Sequence, residues 1–118
     1  MAGIATSVQI HIRPATGVWT ARAGGALIAQ SDRAVELCEG MYPAVVYFPR
    51  EDAAFALLQR SETATFCPHK GNASYYDVVT PSGRIADAVW SYETPKQQMG
   101  TIAGLIAFDP AKVTLSQA

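Results

Sequence analysis

The sequence predicts a mainly β (α+β) fold, built from antiparallel strands with one or two short helices. Three observations predict it: many short runs of β-branched and aromatic residues, turn signals rich in glycine and proline between them, and only two stretches with helical spacing. The 118 residues are close to the commonest size of one domain, so we expect a single domain over residues 1–118.

The first part of the chain predicts three strands. In residues 8–12 β-branched residues alternate with polar ones, the pattern of a strand with one buried face, and His11 then points outward. Residues 18–30, VWTARAGGALIAQ, predict two strands joined at Gly24 and Gly25. Two adjacent glycines supply the positive φ of a tight turn, so we expect a hairpin here.

Two later stretches predict helices. Residues 31–40, SDRAVELCEG, combine a capping residue at Ser31 or Asp32 with apolar residues at helical spacing and a terminal glycine. After a strand in AVVYFP, residues 50–61, REDAAFALLQRS, give the clearest helical pattern, with Asp52 as the N-cap.

Five further strands are predicted, separated by turns that contain proline, glycine or aspartate. The segment at 101–108 is apolar on both faces, so we expect it to be central in its sheet. The five segments are TATF (63–66), ASYYDVV (73–79), IADAVWSYE (85–93), TIAGLIAF (101–108) and VTLS (113–116).

Composition and charge exclude several classes of protein. An apolar fraction of 49% and a charged fraction of 16% argue against a disordered chain, and a net charge of −1 gives no basic field to attract nucleic acid or anionic lipid. No segment approaches the roughly 20 apolar residues that span a bilayer, and residues 1–17 lack the pattern of a secretion signal. We expect a cytoplasmic protein, monomeric or homodimeric, with reduced thiols at Cys38 and Cys67 and no nucleic-acid or membrane partner.

Cys67, His69, Cys38 and His11 together match the ligand count of a tetrahedral zinc site. Their spacing does not match, because structural sites draw ligands from close Cys or His pairs, and His11 lies in a strand far from the others. We therefore expect no metal and no cofactor.

A thiol enzyme is a sharper hypothesis, with Cys67 and Lys70 as its catalytic residues. A neighbouring cation, either His69 or Lys70, favours the thiolate, which is the reactive form. The alternative is that Cys67 is a small buried hydrophobe and that His69 is a solvated turn residue. Lys70 and Gly71 also suit an anionic ligand, although no phosphate-loop motif surrounds them.

Aromatic residues mark a candidate binding surface. In the strand 85–93, Trp90 and Tyr92 share a face with Ala86 and Ala88, whose small side chains leave space for a facing element or for a pocket. A buried indole N–H or phenol O–H needs a partner, which a ligand can supply. Core packing is the alternative for Trp90. We interpret three other aromatic residues as packing: Trp19, Tyr42 and Tyr47.

Two further pairs bear on a binding site. Tyr75 and Tyr76 are consecutive in a predicted strand, so they must point to opposite faces and only one can line a given cavity. Arg50 and Asp52, in YFPRED, form a surface ion pair, or Arg50 holds a ligand carboxylate or phosphate through its fork. Glu39 is open to the same two interpretations.

Four blocks occur along the chain in a defined order: YFPRED (47–52), CPHKGNASY (67–75), WSYETP (90–95) and GLIAF (104–108). With these blocks the chain resembles domain-of-unknown-function family 427 over residues 8–115. His69 falls at a position that varies freely in the family. The resemblance directs attention to Arg50, Asp52, Cys67, Lys70, Gly71, Tyr75, Trp90, Tyr92 and Pro95.

The resemblance implies a β-tent-like fold, in which two antiparallel sheets lean together. Relatives of that architecture include zinc-pinned proteins, a methionine sulfoxide reductase and a small-molecule-binding domain. This chain lacks the paired cysteines that pin such sheets, so we expect a metal-free version. The family is sometimes labelled nucleotidyltransferase-like, but the chain has no G-S followed by D-x-D to hold metal and triphosphate.

The leading hypothesis is a protein that binds an unknown small organic molecule, which can be an anion, in a cleft between its two sheets. The aromatic residues would form the walls, and the two cations would orient the ligand. Its binding residues would be Arg50, Asp52, Lys70, Gly71, Tyr75, Trp90 and Tyr92. Two other hypotheses stay open: the thiol enzyme, and an interaction module that binds no ligand.

Overall fold

The computed structural model of the protein describes residues 9–118, and it is built mainly of β-strands in two antiparallel sheets, as the sequence predicts. The strand predicted at 8–12 is observed from Ile10 onward, and Val8 lies outside the described residues. The strands are β1 (Ile10–Pro14), β2 (Trp19–Ala23), β3 (Ala26–Ser31), β4 (Val35–Glu39), β5 (Val45–Phe48), β6 (Leu58–Cys67), β7 (Gly71–Thr80), β8 (Gly83–Ser91), β9 (Ile106–Phe108) and β10 (Thr114–Gln117).

The larger sheet has the strand order β1-β4-β5-β9-β8-β7-β6, and the smaller sheet has the order β10-β2-β3. The main core lies between them, where alternate residues of the larger sheet pack in one cluster with Ala21 and Ile28 of the smaller sheet. Phe48 and Phe108 meet edge to face in this core, with ring centroids 5.3 Å apart. Core side chains fill much of the space between the sheets, and a concavity of about 260 Å³ remains there, lined by Trp19 and Leu115 of the smaller sheet and by Val46 and Phe108 of the larger one.

The predicted hairpin is confirmed. It joins β2 to β3, and Gly24 and Gly25 have φ values of 58° and 76°, a region that favours glycine. The strands predicted at 73–79 and 85–93 are confirmed as β7 and β8, which pair antiparallel.

The helix predicted at 31–40 is wrong, because this segment contains strand β4. β4 pairs with β1 on one side and β5 on the other, and Leu37 is buried in the resulting sheet. Tertiary pairing thus overrides a short helical pattern. The same pairing places Cys38 opposite His11 on β1, so these residues are neighbours and not distant as predicted.

The helix predicted at 50–61 is also wrong. This segment makes two single turns of 3-10 helix, Arg50–Asp52 and Phe55–Leu57, and then continues as strand β6. The amide of Ala54 donates to the carbonyl of Ile28 at 2.8 Å, a bond to β3 that an α-helix would have replaced with an internal one. Asp52 makes no capping hydrogen bond.

The segment at 101–108 is extended only over Ile106–Phe108, and the preceding Gln97–Ile102 forms a 3-10 helix. Gly104, with a φ of 75°, separates the two. The three extended residues form β9, which lies between β5 and β8, so the predicted central position is confirmed.

The outer face of the larger sheet, away from the smaller sheet, carries a second apolar cluster. Tyr47 and Tyr92 pack there with Met99 and Ile102 from the 3-10 segment, which covers part of this face.

Over residues 9–118, no helix has the length and apolar character needed to cross a membrane. The leaning geometry of a β-tent stays a prediction.

Candidate functional site

A cavity of about 250 Å³ lies on the outer face of the larger sheet. We call it the Lys70 cavity. Its lining combines apolar and aromatic side chains with one cation and one carboxylate: Leu37, Glu39, Tyr42, Pro43, Val45, Tyr47, Lys70, Tyr75, Trp90 and Tyr92. Lys70, Tyr75, Trp90 and Tyr92 were singled out from the sequence, and they share this one cavity.

Lys70 reaches the cavity from the turn between β6 and β7. Its backbone is fixed on both sides, because its amide donates to the carbonyl of Cys67 at 3.2 Å and its carbonyl accepts from the amide of Lys96 at 2.9 Å. The side chain is buried, and its Nζ lies 2.9 Å from Oε1 of Glu39, the last residue of β4. A buried ammonium requires such a partner.

The charge of Lys70 is stable in this setting. Burial alone would lower the pKa of Lys70, but the hydrogen bond to Glu39 and the electrostatic influence of Tyr92, Cys67 and Glu39 outweigh it and raise the pKa above its ordinary value. Nζ also lies 5.8 Å from the ring centroid of Tyr92 and donates to Sγ of Cys67 at 3.7 Å. Lys70 is therefore a cation at neutral pH.

Tyr47 and Trp90 form the floor of the cavity through a shared small neighbour. Ala107 on β9 pairs with Tyr47 of β5 on one side and with Trp90 of β8 on the other. Because the alanine methyl is small, Nε1 of Trp90 can reach over it and donate to the phenol oxygen of Tyr47 at 3.2 Å. Burial raises the pKa of Tyr47 to about 12, despite the bond from Trp90, so this phenol keeps its proton.

Tyr92 and Tyr75 complete the aromatic wall. Burial raises the pKa of Tyr92, although the charge of Lys70 opposes this, so Tyr92 also stays neutral and can donate. The hydroxyl of Tyr75 lies 3.0 Å from Oγ1 of Thr65 on β6. Tyr76 packs in the core between the sheets, so the prediction that consecutive tyrosines face opposite ways is confirmed.

Comparison with known proteins places the sequence in a family. The profile described as Domain of unknown function (DUF427) matches residues 11–117, nearly the whole described chain. The chain belongs to this family. The resemblance inferred from the four sequence blocks is thereby confirmed. A search of curated proteins found no match.

Arg50 of this DUF427 chain lies outside the Lys70 cavity. Its guanidinium donates to the carbonyl of Gly104 at 3.1 Å and to the hydroxyl of Tyr76 at 3.2 Å, and it lies 3.4 Å from Glu93. Tyr76 in turn donates to Glu93 at 2.5 Å, and Arg60 pairs with the same carboxylate at 3.3 Å. Arg50 therefore ties the segment before β9 to β7 and to Glu93.

Asp52 and Gly71 also lie away from the cavity lining. The carboxylate of Asp52 lies beside β3, on the opposite side of the larger sheet from the cavity. It pairs there with Arg33 at 3.3 Å. Gly71 has a φ of 113°, and an added Cβ would lie 3.4 Å from backbone atoms of Pro95 and Lys96. The glycine therefore lets the turn that carries Lys70 approach the segment after β8.

Several sequence-based interpretations of individual residues need correction. Ala86 is exposed and Ala88 packs in the core between the sheets, because the irregular pairing of β8 near Asp87, whose φ is 50°, changes which residues share a face. The small neighbour of Trp90 is Ala107 instead. Tyr42 is 77% exposed at the rim of the cavity and is not a packing residue.

Sequence reasoning left Glu39 open between a surface ion pair and a ligand contact, and it missed Tyr47 as a cavity residue. Tyr47 was interpreted as packing, which it also does, and the hydrogen bond to Trp90 depends on sheet order that no local pattern encodes. The described residues contain no cluster of three or more His, Cys, Asp or Glu side chains suited to a metal, and Cys38 and Cys67 are both free thiols.

Proposed function

We propose that this DUF427 protein binds a small organic molecule in the Lys70 cavity, with an acceptor group of the ligand held by Lys70. The observation that carries the proposal is the buried ammonium of Lys70, which lies inside an aromatic-walled concavity. Ligand sites combine apolar and aromatic walls with a few convergent polar groups, and this cavity has that make-up.

Hydrogen-bond donors without acceptors support the same proposal. The phenol oxygen of Tyr47 accepts from Trp90, and its own proton has no acceptor among residues 9–118. The hydroxyl of Tyr92 makes no hydrogen bond to any described residue, although the side chain is mostly buried. A ligand oxygen in the cavity would satisfy donors that the protein leaves open.

The size of the cavity limits the ligand. Its volume of about 250 Å³ corresponds to the liquid volume of roughly eight waters. A molecule with about ten non-hydrogen atoms therefore fits, whereas a nucleoside triphosphate does not. Arg50 and Asp52 have no role in binding in this proposal. A cytoplasmic location is still our expectation for the protein.

Fluorescence provides the test, because the chain has two tryptophans and only Trp90 lines the cavity. Nε1 of Trp19 is buried without a hydrogen-bond partner among the described residues, so Trp19→Phe breaks no hydrogen bond and leaves the signal of Trp90 alone. A panel of small carboxylic acids, amino acids and sugar phosphates is titrated into this variant. We expect saturable changes in emission and a rise in Tm with the same ligands.

Lys70→Met should weaken that binding at least tenfold, because it removes the cation that orients the ligand. Lys112→Met is the matched control, since the ammonium of Lys112 donates to the carbonyl of Ala86 outside the cavity. Binding that is equally strong in both variants would contradict the proposed site. The absence of any saturable ligand would contradict the proposed function.

Thiol chemistry at Cys67 is the second candidate, favoured by the 3.7 Å contact between its sulfur and Nζ of Lys70. A thiol activated by that ammonium should react with iodoacetamide at neutral pH several times faster in the wild-type protein than in Lys70→Met. Cys38 supplies the internal comparison, because its rate should be the same in both proteins. Equal rates for Cys67 in the two proteins would remove this candidate.

A further inference from the structure

We infer that the ligand of the Lys70 cavity is a zwitterion, a molecule with an ammonium and a carboxylate a few ångströms apart, as in an α-amino acid. This inference rests on the proposed function and deepens it. It starts from the two charges that line the cavity, Lys70 and Glu39, which lie 2.9 Å apart and together carry no net charge.

A ligand with a single charge fits this pair poorly. An anion placed against Lys70 is attracted by the ammonium but lies close to the carboxylate of Glu39, which repels it. A cation placed against Glu39 is repelled by Lys70 in the same way. Because the side chains of Lys70 and Glu39 are only 11% and 21% exposed, water screens these interactions weakly.

A zwitterion that lies antiparallel to the pair gains from both charges. Its carboxylate meets Lys70, whose ammonium has a further N–H beyond those directed to Glu39 and Cys67. Its ammonium meets the second carboxylate oxygen of Glu39, which accepts no hydrogen bond from the described residues. The phenols of Tyr47 and Tyr92 line the same cavity and add neutral donors for the carboxylate of the ligand.

The rest of the lining indicates the side chain of such a ligand. Leu37, Pro43 and Val45 provide apolar surface, and Tyr42 at the rim and Trp90 at the floor provide aromatic surface. An apolar or aromatic side chain would bury its area there. The cavity volume is of the size that an amino acid requires, so one molecule can satisfy the charges and the walls together.

Matched ligand sets test the inference by calorimetric titration of the full chain. Each set has an apolar or aromatic amino acid, its desamino acid and its amine, for example phenylalanine, 3-phenylpropionate and 2-phenylethylamine. We expect at least one amino acid to bind at least tenfold more tightly than both of its analogues. Wild-type protein that shows no such preference in any set would overturn the inference.

Two variants test whether Glu39 is the group that binds the ammonium of the ligand. Glu39→Gln keeps an oxygen that can accept from Lys70 but removes the charge, so the tenfold preference for the amino acid should disappear while the desamino acid binds as well or better. Glu36→Gln is the control, because Glu36 lies on the same strand, faces the other way and pairs with Arg13. A preference that persists in Glu39→Gln would overturn the inference.

The outcomes separate the inference from the proposed function. If desamino acids bind and the binding depends on Lys70, but no amino acid is preferred, the zwitterion is wrong and ligand binding in the cavity stands. If no member of any set binds and no other small molecule changes the emission of Trp90, both are wrong. The Tm of each free variant is measured first, so that loss of binding is not confused with loss of the fold.

Discussion

Nζ of Lys70 lies 2.9 Å from Oε1 of Glu39, although three strands of the larger sheet, β5, β9 and β8, separate β4 from β7. The turn that carries Lys70 and the end of β4 therefore meet over the outer face of the sheet, where both residues line the cavity. The ion pair lines the same cavity as the hydrogen-bonded side chains of Tyr47 and Trp90.

Removal of Lys70 should destabilise the protein as well as weaken binding. Lys70→Met leaves the carboxylate of Glu39 partly buried without its partner, which should lower the free energy of unfolding by about 1 to 2 kcal/mol at neutral pH. Urea unfolding measures this loss. Lys112→Met, at an exposed site, should change the value by less than about 0.5 kcal/mol.

The same pair predicts a pH dependence in the alkaline range. Since the folded pKa of Lys70 is raised, its stabilising contribution is complete below the unfolded lysine pKa of about 10.4 and is lost as the pH rises through the folded value. Unfolding measured from pH 9 to 11.5 should therefore show a steeper loss in the wild-type protein than in Lys70→Met. Parallel curves for the two proteins would contradict the raised pKa.

Tyr47→Phe should remove the acceptor of the indole N–H of Trp90. Because this part of the cavity floor is buried, we expect a loss of about 1 to 2 kcal/mol in the free energy of unfolding and a shift in the emission of Trp90 in the Trp19→Phe background. Tyr42→Phe changes an exposed phenol at the rim and should do neither. If both variants behave alike, the hydrogen bond has no energetic role.

The network around Glu93 should act on acid stability and not on binding. Burial raises the pKa of Glu93, but the hydrogen bond from Tyr76 and the charges of Arg60 and Arg50 outweigh it and hold the pKa below its ordinary value. Its contribution is therefore present above the unfolded glutamate pKa of about 4.3 and is lost as the pH falls through the folded value.

Glu93→Gln should thus lose about 0.5 to 1 kcal/mol at neutral pH and show a shallower decline in stability between pH 5 and pH 3 than the wild-type protein. Its affinity for ligands of the Lys70 cavity should stay within twofold of wild type, because Glu93 does not line the cavity. A tenfold loss of affinity in Glu93→Gln would mean that the Arg50 network belongs to the binding site after all.

Gly71→Ala should be more costly than Gly40→Ala. At Gly71 the φ of 113° is strained for any side chain, and the added methyl would lie 3.4 Å from the backbone of Pro95 and Lys96. Gly40 has a φ of 53° and open space around it. Thermal or urea unfolding should show a loss of about 2 kcal/mol or more at Gly71 and about 1 kcal/mol at Gly40.

Local sequence patterns predicted the secondary structure correctly where pairing in the sheets favours the same element. The adjacent glycines at 24 and 25 and the alternation along β7 and β8 predicted a hairpin and two strands that the structure contains. Such patterns failed at 31–40 and 50–61, where short helical spacing competes with pairing to distant strands. The backbone bond from Ala54 to Ile28 is an example, since a contact between distant segments cannot be read from either segment alone.

The candidate site was predicted in part for a similar reason. Trp90, Tyr92, Tyr75 and Lys70 stood out by chemistry and by motif, and they line one cavity. For Glu39 the sequence left two interpretations open, because its partner comes from a turn that is distant in the sequence and three strands away in the sheet order. Arg50 shows the opposite case: its motif marks it, but its partners include a carbonyl and a tyrosine that hold the fold together.

Chemical-shift mapping of the backbone amides tests the central claim most directly. The tightest-binding member of the amino-acid panel is titrated into uniformly ¹⁵N-labelled protein. We predict that the largest shifts cluster at the turn that carries Lys70, the end of β4 at Glu39, and the strands of Tyr47 and Trp90. Shifts that cluster around Arg50 and Glu93, or that spread evenly over the surface, would contradict binding in the Lys70 cavity.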